Sequence, residues 1–190
     1  MTDQEIVRGI NNQDEQAFKA LVDNYQEMVI NVCNSFVHNK EDAMDIAQEV
    51  FIKVLDSIHT FRGKSKLSTW LYRIAVNKSL NFIRDRRKKS IFNSLDLLFD
   101  KDNGDQVSQI GDASSNSQEV MEYNEKKEAL HKAIQQLPKK QKIALTLNKF
   151  EELPYKEIAE VMNISVTETG VLINRAKKQI QKKLIQYFKN

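Results

Sequence analysis

Pro154-Tyr155-Lys156-Glu157-Ile158-Ala159-Glu160-Val161-Met162-Asn163-Ile164-Ser165-Val166 reads as a short helix, a turn at Asn163, and a second helix capped by Ser165 or Thr167. Ile158, Ala159 and Met162 share the inward face, and Ala159 is small where the second helix must cross. That second helix ends in Arg175-Ala176-Lys177-Lys178 and is basic on its outer side. Two helices at a tight turn, the second one cationic, form a helix-turn-helix. Such a motif lays its second helix in the major groove, where basic side chains reach base edges and phosphates.

Upstream of the motif, Gln141 to Phe150 make one helix, and Leu130, Ala133, Ile134 and Leu137 mark another that Pro138 breaks. Further upstream the periodicity fails. Residues 90–117 are mostly polar, with Asp100-Lys101-Asp102-Asn103-Gly104-Asp105 and Gly111-Asp112-Ala113-Ser114-Ser115-Asn116-Ser117, and read as an acidic flexible linker.

A second basic block precedes the linker. Residues 62–89 hold ten bases and one acid, Asp85, giving net +9 in a chain whose total is +3. Phe61, Trp70, Tyr72 and Phe82 are interleaved with that charge. Cations release counterions from phosphates and aromatic faces stack on unpaired bases, so the block suits a nucleic-acid strand. Gly63 lets backbone approach a ligand closely, and Ser65, Ser68 and Thr69 supply donors and acceptors, as a pocket for a flipped base requires. Trp70 fits either stacking on DNA or packing in a core. Arg84, Arg86, Arg87, Lys88 and Lys89 complement a helix C-terminus, but five in six residues exceed what capping needs.

Before the basic block the pattern is helical. Asp14 can cap a helix carrying Phe18, Leu21, Val22, Tyr25, Met28, Val29 and Val32. Asp42 starts another, with Ala43, Ile46, Ala47, Val50, Phe51 and Val54 on one stripe. A third begins near Ser68 and runs through Leu71, Ile74, Ala75, Leu80 and Ile83. On the helix over 42–56, Asp45, Gln48, Glu49, Ile52 and Lys53 lie opposite the apolar stripe. Ile52 is an apolar residue stranded among charges, which suits a protein interface better than plain solvent.

The bulk composition fits this reading. Five Gly and two Pro in 190 residues leave few turns for a sheet protein. The fold class is therefore all-α, with two small helical domains (residues 1–89 and 118–190) joined by the linker at 90–117. One cysteine, Cys33, excludes an internal disulfide framework and fits a reducing compartment. No apolar run approaches the roughly 20 residues that span a bilayer, and the acidic Met1-Thr2-Asp3-Gln4-Glu5 is unlike a signal peptide, so a cytoplasmic location is expected. His38, His59 and His131 have no partner at ligand spacing, and neither metal nor cofactor is expected. Nucleophile motifs, paired acids and Gly-rich phosphate loops are lacking, so an enzyme is not expected.

Asp45-Ile46-Ala47-Gln48-Glu49-Val50-Phe51-Ile52-Lys53-Val54 resembles the signature helix with which bacterial sigma factors dock on RNA polymerase. Phe61-Arg62-Gly63 followed by Ser68-Thr69-Trp70-Leu71-Tyr72-Arg73-Ile74-Ala75-Val76-Asn77 resembles the adjoining promoter-melting segment. The helix-turn-helix over 154–178 resembles the domain that reads the minus-thirty-five element. In this order, without a middle domain, they are similar to the small extracytoplasmic-function (ECF) group of the sigma-70 family.

The resemblance implies a sigma factor that binds core RNA polymerase, directs it to promoter DNA and helps separate the strands. It implies core docking by Asp45, Gln48, Glu49, Ile52 and Lys53. It implies minus-ten contacts by Phe61, Arg62, Gly63, Lys64, Ser65, Lys66, Asn77, Arg84, Arg86, Arg87 and Lys88. It implies minus-thirty-five contacts by Thr167, Glu168, Arg175, Lys177 and Lys178. Members of this group are often held by a membrane-anchored anti-sigma factor, a partner the resemblance extends to this chain. Thr169, Gly170, Val171 and Asn174 depart from the family pattern, so readout of the minus-thirty-five element is expected to lean on phosphates and DNA shape. A free-standing repressor or activator is the competing reading, and a nucleic-acid enzyme a more distant one.

Overall fold

A computed structural model describes the backbone of residues 1–99 and 117–189, and the side chains of 1–88 and 125–189. Among the described residues every regular element is helical: α1 Asp3–Asn11, α2 Glu15–Val37, α3 Lys40–Ser57, α4 Leu67–Phe99, α5 Ser117–Gln135, α6 Lys139–Lys149, α7 Tyr155–Met162 and α8 Val166–Lys189. The all-α, two-domain class expected from composition is what the structure shows.

The N-terminal bundle is built on α2, α3 and α4, which pack pairwise, with α1 laid across α2. Leu21, Val29, Val32, Phe36, Ile46, Val50, Val54 and Leu71 are at most 1% exposed at its centre. Asp14 caps α2 as expected, accepting from Gln16 N–H at 2.9 Å. α3 starts two residues before the expected Asp42, because Asn39 takes the cap and its Oδ1 accepts from Asp42 N–H at 2.9 Å. Glu41 and Asp42 then fall in the first turn, where acids suit the helix dipole.

Helix α4 runs ten residues into the segment expected as a linker over 90–117. α4 continues without a break through Phe99, since no glycine or proline interrupts Ser90 to Phe99. Residues 100–116 lie outside the described residues.

The C-terminal domain packs α8 against α5, α6 and α7. Ala144, Leu147, Ile158, Ile173 and Ala176 are fully buried. Asn163 adopts the left-handed conformation at φ 54°, turning α7 into α8, and Ser165 rather than Thr167 supplies the cap, its Oγ accepting from Glu168 N–H at 3.0 Å. Pro138 occupies the N-cap position of α6, where its missing N–H costs nothing.

Candidate nucleic-acid interface

α3 presents the face expected for protein docking. Its apolar stripe is buried, while Asp45, Gln48, Glu49 and Lys53 are exposed and Ile52 is 60% exposed. The structure adds Leu55, 45% exposed and one turn beyond Ile52, and Met44, also 45% exposed but two turns before it. Glu49 pairs with Lys78 of α4 at 2.8 Å, and Asp42 with Arg86 at 2.5 Å. Each pair is largely solvent-exposed and contributes about 0–1 kcal/mol.

The connection between α3 and α4 passes a short 3-10 turn at Ile58–Thr60 and then the loop 61–66. Gly63 sits at φ +68° with nothing within 4 Å of where a Cβ would stand, so the backbone and not crowding requires glycine. Phe61 is half-buried and leans on Trp70, ring centroids 5.6 Å apart. Trp70 is itself half-buried against the bundle core, which gives it a packing role.

Phe61, Arg62, Gly63, Ser65, Lys66 and Leu67 line one side of a hollow of about 570 Å³. The other side is α1, through Asp3, Val7, Arg8, Asn11 and Asn12. Val7, Phe61 and Leu67 provide apolar floor, Asn11 and Asn12 provide amide edges, and Arg8, Arg62 and Lys66 provide positive charge. A nucleotide needs each of these: a surface to stack on, groups that read its edge, and cations for its phosphate.

Sequence reasoning missed α1 altogether. Its signal was present as Thr2-x-x-Glu5, a capping box in which Glu5 N–H donates to the Thr2 hydroxyl and Thr2 N–H to the Glu5 carboxylate at 2.7 Å. The Thr2 backbone N–H first, and then the Thr2 side chain, hold the Glu5 carboxyl below its usual value. Gly9 lets α1 approach α2, since a Cβ there would stand 2.4 Å from that of Ala17.

Not every expected minus-ten residue joins the hollow. Lys64 is exposed in the same loop. Asn77 is exposed on α4, ten residues or about 15 Å of helix beyond Leu67, and does not line the hollow. Arg84, Arg87 and Lys88 are exposed farther along α4, and Arg86 is engaged with Asp42. Together they continue a basic track for roughly 30 Å from the loop. The Lys89 side chain lies outside the described residues.

On α8, Thr167, Glu168, Arg175, Lys177 and Lys178 are all exposed, and Lys140 of α6 approaches Glu168 at 3.5 Å. Thr169 is fully buried, its hydroxyl donating to the Ser165 carbonyl at 3.1 Å, so it faces the core rather than DNA. Gly170 lies over the Tyr155 ring, whose Cε2 would be 3.5 Å from an added Cβ, an ordinary contact.

A bundle carrying a basic loop and track, followed by a helix-turn-helix, defines a two-domain DNA-binding protein. Residues 21–89 match the family model for sigma-70 region 2, and residues 127–180 that for sigma-70 region 4. The chain is 37% identical over 185 residues to the RNA polymerase sigma-H factor of Pseudomonas aeruginosa, covering 96% of this chain and 93% of that one. It is 32% identical over 186 residues to the ECF RNA polymerase sigma-E factor of Escherichia coli, covering 97% and 95%. The structure of CnrH in complex with the cytosolic domain of CnrY shares the fold, at 18% identity and a TM-score of 0.62 over 97% of both chains. So does the sigma factor RpoE in complex with the anti-sigma factor NepR from Bartonella quintana, at 20% identity and a TM-score of 0.56, covering 88% of this chain and 96% of that one.

The chain belongs to the ECF group of the sigma-70 family of RNA polymerase sigma factors. Its function is promoter-directed transcription initiation with RNA polymerase. α1 lies outside both matched regions. No described helix is long and apolar enough to cross a membrane.

Proposed function

We propose that the chain divides its work by domain: residues 1–89 dock on core polymerase and read the unpaired minus-ten strand, and residues 118–190 read minus-thirty-five as duplex, with 90–117 as the tether. The observation that carries this reading is the hollow between α1 and the loop 61–66, which opens beside the basic track of α4. In it Arg62, Ser65 and Lys66 hold strand and base, with Lys64 beside them, while Arg84, Arg86, Arg87 and Lys88 grip phosphates further on.

Core polymerase docks on the α3 face through Asp45, Gln48, Glu49, Ile52 and Lys53, with Met44 and Leu55 adding apolar surface along the helix. Charge supplies affinity and on-rate there, and the apolar centre supplies the slow off-rate. On α8, Arg175, Lys177 and Lys178 take phosphates and groove edges, with Thr167 and Glu168 at the helix start. With Gly170 offering no side chain, shape contributes to minus-thirty-five selection.

The protein acts by positioning polymerase and performs no covalent chemistry of its own, and it works in the cytoplasm. An anti-sigma factor, a protein of the kind bound to the Bartonella quintana relative, is its regulatory partner. Run-off transcription tests the assignment. The chain added to bare core polymerase should start transcripts at defined promoters; a requirement for pre-existing holoenzyme would instead make it a free-standing regulator.

A further inference from the structure

The outward stripe of α8 carries two side chains that its basic charge leaves without work. Thr169, Leu172, Ile173 and Ala176 are buried on one side of the helix. On the other side, residues three and four apart line up as Thr167, Val171, Asn174 and Lys178, with Arg175 alongside, and all five are exposed. Val171, 40% exposed, is the apolar member of the stripe. A β-branched residue is a weak helix former, and Val171 does not join the side chains packed on the core. Neither the helix nor the core therefore accounts for it. Asn174 is a weak helix former as well, and among the described residues its amide has no hydrogen-bond partner. Gly170, over the Tyr155 ring, stands beside Val171 with no side chain of its own.

We propose that Val171 and Asn174 are the side chains with which this chain chooses its minus-thirty-five element. Asn174 takes the edge of an adenine, and Val171 packs on the methyl group of a thymine in the adjoining base pair. The proposal rests on the reading of α8 as the minus-thirty-five helix and adds the base preference of that site.

Each side chain answers one base. In the major groove adenine shows its N7 acceptor beside the N6 donor, and an amide, with Nδ2 donating and Oδ1 accepting in one plane, matches both. Guanine shows two acceptors there, so Oδ1 would meet an oxygen with no proton between them. Thymine alone carries a methyl group, and a branched aliphatic side chain gains by covering it. Spacing allows both contacts at once. Side chains three apart on a helix hold their Cβ atoms about 5–6 Å apart. Stacked base pairs are about 3.4 Å apart, so Val171 and Asn174 reach adjoining pairs. Arg175, Lys177 and Lys178 supply phosphate contacts toward the C-terminal side, and Lys140 of α6 offsets the charge of Glu168 at 3.5 Å on the other. Charge holds the helix in the groove without choosing a base, and the two uncharged side chains choose.

The test removes single atoms or groups from the DNA. Holoenzyme assembled from the full chain and core polymerase is bound to duplexes of the promoter that run-off transcription maps. Each duplex carries deoxyuridine for one thymidine, or deazaadenine for one adenine, at a single position of the minus-thirty-five element. Uracil lacks only the methyl group, and deazaadenine (C–H in place of N7) lacks only that acceptor. Wild-type holoenzyme should lose about fourfold in affinity at one thymine, the worth of one buried methyl group. It should lose about fivefold or more at one adenine in an adjoining pair. Val171→Ala should bind thymine and uracil alike at the first position and keep the loss at the second, and Asn174→Ala should do the reverse. Both positions are exposed and alanine is the better helix former, so the variants fold. Wild-type indifference to every methyl group and every N7, sensitive positions that do not adjoin, or a variant that keeps the sensitivity its residue supplies would each overturn the proposal. Scrambling the whole element without loss of wild-type affinity would strike the reading of α8 itself. Dependence on the element without dependence on those atoms strikes the proposal alone.

Discussion

The rings of His38 and His131 meet edge to face, with centroids 4.7 Å apart and planes at 74°, and the neighbours of His131 disfavour a second proton on its ring. Gln135 Oε1 accepts from Lys142 Nζ at 2.5 Å, so its amide nitrogen is the atom 3.4 Å from His131 Nε2. The amide donates, that ring nitrogen accepts, and the network assigns His131 as neutral. Protonating it would set two donors against each other, and turning the amide would break the bond to Lys142, which is 6% exposed.

The contact that these rings make between α2 and α5 should therefore loosen in acid. Burial lowers both histidines, first and most. His38 also faces His131, Lys142 and Lys127, and His131 faces Lys142, with only Glu128 raising it. Glu128 is itself shared with Lys132 at 2.7 Å. A chain with this contact broken then binds more protons than one with it made, so the contact gains stability as pH rises. Its full strength is present above the ordinary histidine value near 6.5 and is lost as pH falls through that value toward the lowered ones. Distances between spin labels on cysteines introduced at the exposed Gln26 of α2 and Lys182 of α8, recorded from pH 8 to 5, should lengthen in the wild type and stay flatter in His38→Asn and His131→Gln. Identical profiles in all three would show that other groups govern any opening.

Two glycines should respond oppositely to alanine. At Gly9 an added Cβ would stand 2.4 Å from Ala17, forcing α1 off α2, and overpacking of this kind costs about 1–3 kcal/mol. At Gly170 the new methyl would meet Tyr155 at 3.5 Å, and a helix-interior glycine replaced without clash gains about 0.5–1 kcal/mol. Urea denaturation should place the Gly9→Ala midpoint below wild type and the Gly170→Ala midpoint above it. Equal shifts would mean that neither contact decides stability.

How legible these features were in the sequence depended on the kind of signal. The buried stripe of α3 and the Asn163 turn were readable because periodicity and left-handed propensity act locally. α1 was short and carried its capping box outside any long apolar pattern, so it went unread, and with it the second wall of the hollow. The extension of α4 through Phe99 was obscured by the polar residues that follow. The meeting of His38 with His131 and of Arg73 with α7 could not be read at all, because those pairs are 93 and 87 or 88 residues apart and no local rule links them.

Core docking should depend on the apolar centre of the α3 face more than on any one charge. Ile52→Arg places a cation in that centre, while the 60% exposure of Ile52 leaves the bundle fold within about 0.5 kcal/mol of wild type. A central apolar anchor is worth 2 kcal/mol or more, so affinity for core polymerase should fall by about thirtyfold or more. Asp45→Lys should act mainly on association rate and become milder at high salt. Co-elution with core polymerase, beside a melting curve, separates lost docking from lost folding. Full binding by Ile52→Arg would remove this face from the interface.

Specificity and affinity should separate at the hollow. Asn11 and Asn12 offer amide edges to a base, whereas Lys66 offers charge to a phosphate. Alanine at either asparagine should relax the preference at one base of a single-stranded minus-ten oligonucleotide by about 1–3 kcal/mol and leave the other positions alone. Lys66→Ala should weaken every sequence alike and reduce the salt dependence by about one counterion. Fluorescence anisotropy with holoenzyme, using oligonucleotides that carry each of the four bases at each position, distinguishes the two patterns. If the asparagine variants lose affinity uniformly, as expected of Lys66→Ala, then α1 holds the strand without reading it, and base choice resides in the loop alone.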